Sequence, residues 1–171
     1  MKIKSLLLIT TALFFFACGG NDKDKGPDCS SAPLLSKSCL AGKWYMGATS
    51  TDRSLFPNAV TTFDISEVRG VQYNVEFIVN KANYKLPLEA DSIAFAKVGS
   101  DHDHTGYGVF SLSEDQTQIT IEFNDGDIAG FYFSGKAEMF NENFIIFEAT
   151  KKPPFANEQM TPVNMILKRV Q

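Results

Sequence analysis

Residues 118–150 read QITIEFNDGDIAGFYFSGKAEMFNENFIIFEAT, and this stretch decides the fold. Apolar residues recur at every second position in three segments, which the turn-forming residues 124–127 and 141–143 separate. The apolar phase consists of Ile119, Ile121, Phe123, Ala129, Phe131, Phe133, Gly135, Ala137, Met139, Ile145, Phe147 and Ala149. A period of two predicts antiparallel strands with one face buried and the other face in solvent.

The middle segment, residues 129–140, predicts one long strand of about twelve residues, which is about twice the usual length. Long twisted strands suit a sheet that closes on itself, because closure removes the exposed edges. Gly130 and Gly135 mark positions where such a strand would bend. The alternative is a pair of short strands joined by a turn at residues 134–135.

The rest of the chain shows the same alternation, with no convincing amphipathic helix. Further strands are predicted over residues 40–48, 60–66, 71–80, 84–88, 92–98, 107–112 and 163–170. The sequence therefore predicts an all-β domain of about eight to ten strands joined mostly by short turns. An antiparallel up-and-down β-barrel and an open meander sandwich both fit this pattern.

The N-terminus predicts an export signal. Two lysines precede an apolar run over residues 6–16, and Ala17 and Cys18 follow it. A basic start, a short apolar segment and a small residue before the cleavage point are typical of a secretory signal peptide. The apolar run is too short to span a bilayer comfortably. We therefore assign residues 1–17 to a signal peptide.

Residues 15–18, FFAC, resemble a bacterial lipobox, at which signal peptidase II cuts and the new N-terminal cysteine is lipidated. Ala17 and Cys18 match the motif, whereas the two phenylalanines replace its usual leucine and small residue. The resemblance implies a lipid on Cys18, and ordinary cleavage after Ala17 is the alternative. Residues 18–28 would then form the lipidated cysteine and a polar, flexible tether.

Several acyl chains on one cysteine would hold the domain durably at a membrane. The resemblance therefore implies a protein of the bacterial cell envelope, anchored by lipid to the outer membrane. Residues 29–171 remain as a single β-barrel domain.

The chain has three cysteines. If Cys18 takes the lipid, Cys29 and Cys39 remain as a pair, and the oxidising compartment of exported proteins predicts a disulfide between them. The bond would close a loop of about ten residues and stabilise the fold by roughly 2–3 kcal/mol.

Charge excludes one class of partner. Without the two leader lysines the chain has fourteen basic residues against twenty acidic ones, a net charge of −6. These charges are scattered and form no basic stripe, which argues against a nucleic-acid partner.

Gly42, Lys43 and Trp44 on the first predicted strand, with Arg169 on the last, resemble the lipocalin and wider calycin pattern. In that family a Gly-x-Trp opens the barrel, and a basic residue near its end packs over the indole and closes the floor. The resemblance implies a barrel-closing pair of Trp44 and Arg169, for which cation–π attraction gives a physical reason. The family's Thr-Asp-Tyr motif between later strands is not visible in this chain. The resemblance also implies a small hydrophobic ligand.

Fifteen phenylalanines give the apolar phase an aromatic character. The candidate ligand-lining residues are Phe77, Phe95, Phe123, Phe131, Phe133 and Phe147. An eight-stranded barrel either holds one small ligand or fills with its own side chains. A filled barrel would instead make a structural or protein-interaction lipoprotein, which binds an envelope protein through its outer loops.

Metal and catalytic signals are weak. Residues 101–104, DHDH, hold both histidines of the chain, and His102 and His104 are weak candidate metal ligands. Further ligands would have to come from elsewhere, so we expect a solvated loop and no metal site. The sequence has no Gly-x-Ser-x-Gly motif and no phosphate-binding loop. We therefore expect no enzyme activity and no cofactor.

Overall fold

A computed structural model of the chain describes residue 29 and residues 35–49, 69–98, 104–152 and 159–171. The elements are α1 (Lys37–Leu40), β1 (Gly42–Ala48), β2 (Arg69–Val79), a short 3-10 helix (Lys81–Asn83), β3 (Ser92–Val98), β4 (His104–Leu112), β5 (Gln118–Gly126), β6 (Tyr132–Asn141), β7 (Phe144–Lys152) and β8 (Thr161–Arg169). Each strand pairs antiparallel with the next, and β1 also pairs with β8. The predicted antiparallel up-and-down β-barrel is therefore confirmed, and it closes with eight strands.

The strict alternation between β5 and β7 places one set of side chains inside the barrel. Ile121 on β5 lies opposite Phe133 on β6, and Ala137 on β6 lies opposite Phe147 on β7. All four side chains are buried. The predicted facing pattern is therefore confirmed within β5, β6 and β7, whereas Ala129, which was predicted on the same face, is exposed in the turn before β6. Burial of these apolar side chains supplies the main driving force for closure.

The two ends of the barrel differ. We call the end where β1 begins and β8 ends the base, and the opposite end the mouth. At the base, the Ser36 hydroxyl caps α1 by accepting a hydrogen bond of 3.1 Å from the Cys39 N–H. The Trp44 indole N–H donates a hydrogen bond of 2.7 Å to the Leu40 carbonyl. These contacts fix α1 against the base.

The turn between β5 and β6 lies later than predicted. β5 continues to Gly126, which pairs with Gly106 on β4, so the turn occupies residues 127–130 instead of 124–127. β6 then begins at Tyr132, not at residue 129, and passes through Gly135 without a turn. Of the two alternatives for this segment, the single strand is correct, with ten residues.

The other predicted strands have different outcomes. Residues 84–88 are not a strand but belong to the connection between β2 and β3. β4 begins at His104, three residues earlier than expected, since its first residues pair with β3. The predicted strand over residues 60–66 lies outside the described residues. Within the described residues, no helix has both the length and the apolar character needed to cross a membrane.

Candidate functional site

The barrel interior below the mouth is filled with side chains. Trp44, Phe123 and Phe147 have no exposed surface at all. A cavity that admitted water would leave accessible surface on the side chains that line it. The interior at these positions is therefore packed down to the size of a water molecule.

Four of the predicted ligand-lining phenylalanines belong to this packed core. They are Phe77, Phe123, Phe133 and Phe147, and none is more than 1% exposed. Phe77 packs edge-on against Phe110 with 5.0 Å between ring centroids, so these rings contact one another. The filled alternative therefore describes this part of the barrel.

The prediction that Phe95 lines the interior is wrong. The register of β3 turns Ala94 and Ala96 inward, opposite Phe77 and Val75 on β2. Phe95 therefore faces outward, where it stacks on Tyr107 with 4.9 Å between ring centroids. Both faces of β3 carry apolar residues, so the alternation alone does not reveal which face is inside.

Towards the mouth, the inward-facing side chains become more exposed. The inward-facing side chains of the last layer are half-buried, whereas Phe133 and Ala149 in the layer below are buried. We call this last layer the mouth cup, and its residues are Ala48, Val98, Phe131, Lys151 and Val163. A ligand that approached from this end would meet a mostly apolar surface.

Tyr73 separates the mouth cup from the packed core. It lies on β2, which is four strands from β6 in either direction around the closed sheet. Its ring nevertheless contacts Phe133 and Phe131 edge-on, with 5.7 Å and 6.3 Å between centroids. The Tyr73 side chain therefore spans the interior and forms the floor of the cup.

The Tyr73 hydroxyl is buried and finds no hydrogen-bond partner in the described part of the chain. Buried hydroxyls are paired in most proteins, because an unpaired one loses its hydrogen bonds to water without replacement. Burial also raises the pKa of Tyr73 to about 12. The hydroxyl is therefore a neutral hydrogen-bond donor at physiological pH.

Lys151 brings a positive charge to the cup. It follows Ala149 on the inner phase of β7 and lies opposite Phe133 on β6. Its ammonium lies 5.2 Å from the centroid of the Phe131 ring, within the range of a cation–π contact. Phe131 thus contacts both the Tyr73 ring and the Lys151 ammonium. The cup therefore combines a mostly apolar surface and one cation with a buried hydroxyl that has no hydrogen-bond partner among the described residues.

The sequence pattern predicts Phe131 as a site residue but does not predict Tyr73 or Lys151. Lys151 could have been predicted, because it follows Ala149 by two residues and therefore shares its inward face. No sequence signal could reveal the unpaired hydroxyl, because its environment depends on strands far apart in the chain.

The base of the barrel is closed by the residues that the lipocalin pattern implied. The Arg169 guanidinium lies 4.1 Å from the centroid of the Trp44 ring. It also donates hydrogen bonds to the carbonyls of Cys39 (2.6 Å), Ala41 (3.0 Å) and Glu142 (2.8 Å). Burial lowers the pKa of Arg169, and the Glu142 carboxylate partly opposes this effect. Arginine stays charged nonetheless, so it keeps both the cation–π contact and the three hydrogen bonds. We call these contacts of Arg169 the clasp.

The structure also brings Cys29 and Cys39 together in a disulfide bond. A cavity of about 310 Å³ lies beside it, lined by both cysteines, Asn143 and Arg169 among others. Cys18, the expected lipidation site, lies outside the described residues.

The metal candidates are only partly described. His102 lies outside the described residues, and His104 is exposed at the start of β4. Among the residues that the structure does describe, no three His, Cys, Asp or Glu side chains come together as a metal site.

A second cavity lies on the outer surface of β1, β2 and β3. It has a volume of about 290 Å³, and its lining includes Tyr45, Phe95, Lys43, Lys97 and Glu76. We call it the outer groove. The sequence did not predict this groove, because these residues come from the outer phase of three separate strands.

No protein-family model matches the chain, and a search of curated proteins found no match.

Proposed function

We propose that the protein is a lipid-anchored envelope lipoprotein with a lipocalin-like barrel, which binds a small apolar molecule at its mouth. The observation that carries the proposal is the change in exposure along β6 and β7. Phe133 and Ala149 are buried, whereas Phe131 and Lys151, two residues nearer the mouth, are half-buried. The packed core leaves the cup as the part of the described interior that a ligand can reach.

The position of the tether supports the same proposal. Cys29 is bonded to Cys39 in α1, and α1 packs on the base. A chain anchored through Cys18 would therefore reach the domain at the end opposite the mouth. This arrangement leaves the cup facing away from the attached membrane, where it is accessible to a diffusing ligand.

Binding of N-phenylnaphthylamine, a neutral dye that fluoresces in apolar surroundings, tests the mouth site. The mature protein should enhance its fluorescence, and Phe131→Ser should weaken the affinity about tenfold or more, since burial of an aromatic ring contributes roughly 1.5–3 kcal/mol. Phe95→Ser removes a ring from the outer groove and is the matched control. Loss of binding in the Phe95 variant alone would place the dye outside the barrel and contradict the proposal.

Anchoring is tested separately in cells. The wild-type protein should incorporate labelled palmitate and sediment with membranes, whereas Cys18→Ser should do neither. A wild-type protein that stays in the soluble fraction without label would show ordinary cleavage instead.

The outer groove favours a second candidate function, in which the filled barrel is a scaffold for an envelope protein. Phe95 and Tyr107 form an aromatic surface there, and Lys43 and Lys97 are exposed beside it. Aromatic residues are enriched in protein interfaces. A photo-crosslinking amino acid at position 95 should then capture one defined protein in cells, while the same probe at Lys136, exposed on the opposite outer face, should capture none.

A further inference from the structure

We propose that the mouth cup selects ligands that carry an anionic head group, which Lys151 and Tyr73 bind together. This inference rests on the proposed function, because it takes the cup as the ligand site. It adds the chemical class of the ligand: a small apolar molecule that ends in an acidic group.

Lys151 is unusually placed for a structural lysine. The next residue, Lys152, is exposed on the outer phase of β7, where a solvated lysine is expected. Lys151 instead lies on the inner phase, among the half-buried apolar residues Ala48, Val98, Phe131 and Val163. His104, which lies opposite Val98 on β4, is exposed. No acidic side chain among the described residues pairs with it, and its ammonium rests on the Phe131 ring. Within the described part of the chain, no carboxylate neutralises this charge.

Tyr73 supplies the second observation. Its side chain is only 2% exposed, and its hydroxyl has no partner within the described part of the chain. A phenylalanine would fill nearly the same space without leaving a buried donor unpaired. An acceptor on a ligand in the cup would give this donor the partner that it lacks among the described residues.

Both groups meet at one side chain. The Tyr73 ring and the Lys151 ammonium each contact Phe131, at 6.3 Å and 5.2 Å from its centroid. A carboxylate, sulfonate or phosphate oxygen accepts hydrogen bonds from both an ammonium and a phenol, and such charge-assisted bonds are stronger than neutral ones. An apolar ligand without this group would gain only from burial in the cup.

Two dyes with the same aromatic skeleton test the inference. Anilinonaphthalene sulfonate carries an anionic group, and N-phenylnaphthylamine lacks it. The affinity of the mature protein for the sulfonate should be at least about tenfold higher than its affinity for the neutral dye. Added salt should lower the affinity for the sulfonate only, because salt screens the charge interaction.

Lys151→Met should lower the affinity for the sulfonate about ten- to hundredfold and thereby abolish the preference for the sulfonate over the neutral dye. Lys152→Met changes the neighbouring lysine on the outer face and should leave both affinities unchanged. Tyr73→Phe should lower the affinity for the sulfonate severalfold, whereas Tyr132→Phe, on the outer face of β6, should have no effect.

Thermal unfolding of Tyr73→Phe distinguishes a structural role of the hydroxyl from a ligand-binding role. Loss of a structural hydroxyl would lower the unfolding temperature, whereas loss of an unpaired one should leave it unchanged or raise it while sulfonate binding falls. If both variants keep the wild-type preference for the sulfonate, the inference is wrong and the proposed function stands. If the neutral dye also fails to bind the wild-type protein, the proposed function itself is wrong.

Discussion

The Arg169 guanidinium on the last strand lies 4.1 Å from the centroid of the Trp44 ring on the first strand. The same guanidinium hydrogen-bonds to carbonyls of α1, of the residue before β1 and of the turn between β6 and β7. One side chain therefore joins four parts of the base. This clasp closes the end of the barrel that carries the disulfide.

Replacing Arg169 with lysine should destabilise the protein by about 2–4 kcal/mol, because an ammonium cannot serve three separate carbonyls and the indole face together. Urea unfolding followed by tryptophan fluorescence measures this change directly at Trp44. Lys168→Met, one residue away, is the control and should change the free energy of unfolding by less than about 0.5 kcal/mol. Equal stability of the two variants would show that the clasp contributes little.

Loss of the Cys29–Cys39 bond should lower the free energy of unfolding by about 2–3 kcal/mol, because the bond closes a loop with a sequence separation of 10. The double variant Cys29→Ser/Cys39→Ser tests this in urea. Hydrogen exchange should quicken in α1 and remain slow in β5 to β7, which do not depend on the bond for their pairing. Faster exchange across the whole barrel would contradict this local role.

Gly135→Ala should destabilise the barrel by about 3 kcal/mol or more. A Cβ atom at this position would lie 2.1 Å from the Glu148 carbonyl oxygen and 2.9 Å from the Ala149 Cα, both backbone atoms of β7. Relief requires β6 and β7 to move apart, which breaks their pairing. Ser134→Ala, which removes a hydroxyl contact of 2.8 Å to Thr120, should cost about 1 kcal/mol in the same unfolding assay.

Tyr73 should make the protein sensitive to alkali. Its pKa is about 12 in the folded state against 10.0 for an ordinary tyrosine, so between these values the folded state holds a proton that the unfolded state releases. Stability contributed by this group is thus complete below pH 10.0 and falls as pH rises towards about 12. The loss should approach about 1.4 kcal/mol per pH unit. Urea unfolding at several alkaline pH values should show it in the wild-type protein and not in Tyr73→Phe.

The central stretch was predictable because its apolar residues occupy one face without interruption. Ile121, Phe133 and Phe147 all point inward as their phase requires. β3 gave no such signal, since Ile93 and Phe95 on one face and Ala94 and Ala96 on the other are all apolar. The choice between these faces depends on the neighbouring strands, and Phe95 was assigned to the wrong one.

The candidate site was less predictable than the fold. The contact between Trp44 and Arg169 followed from a family resemblance, and Phe131 from its phase. The position of Tyr73 over the packed core depends on the diameter of the closed barrel and on rings four strands away. Local sequence pattern carries no information on such distances.

The disulfide also decides how the domain bears tension. A pull on the chain before Cys29 reaches Cys39 in α1 through the disulfide bond. From α1 the force reaches the base of the barrel through the hydrogen bonds that Arg169 and Trp44 make to α1. A domain tethered at this point would take up tension at its base, at the opposite end of the barrel from the cup.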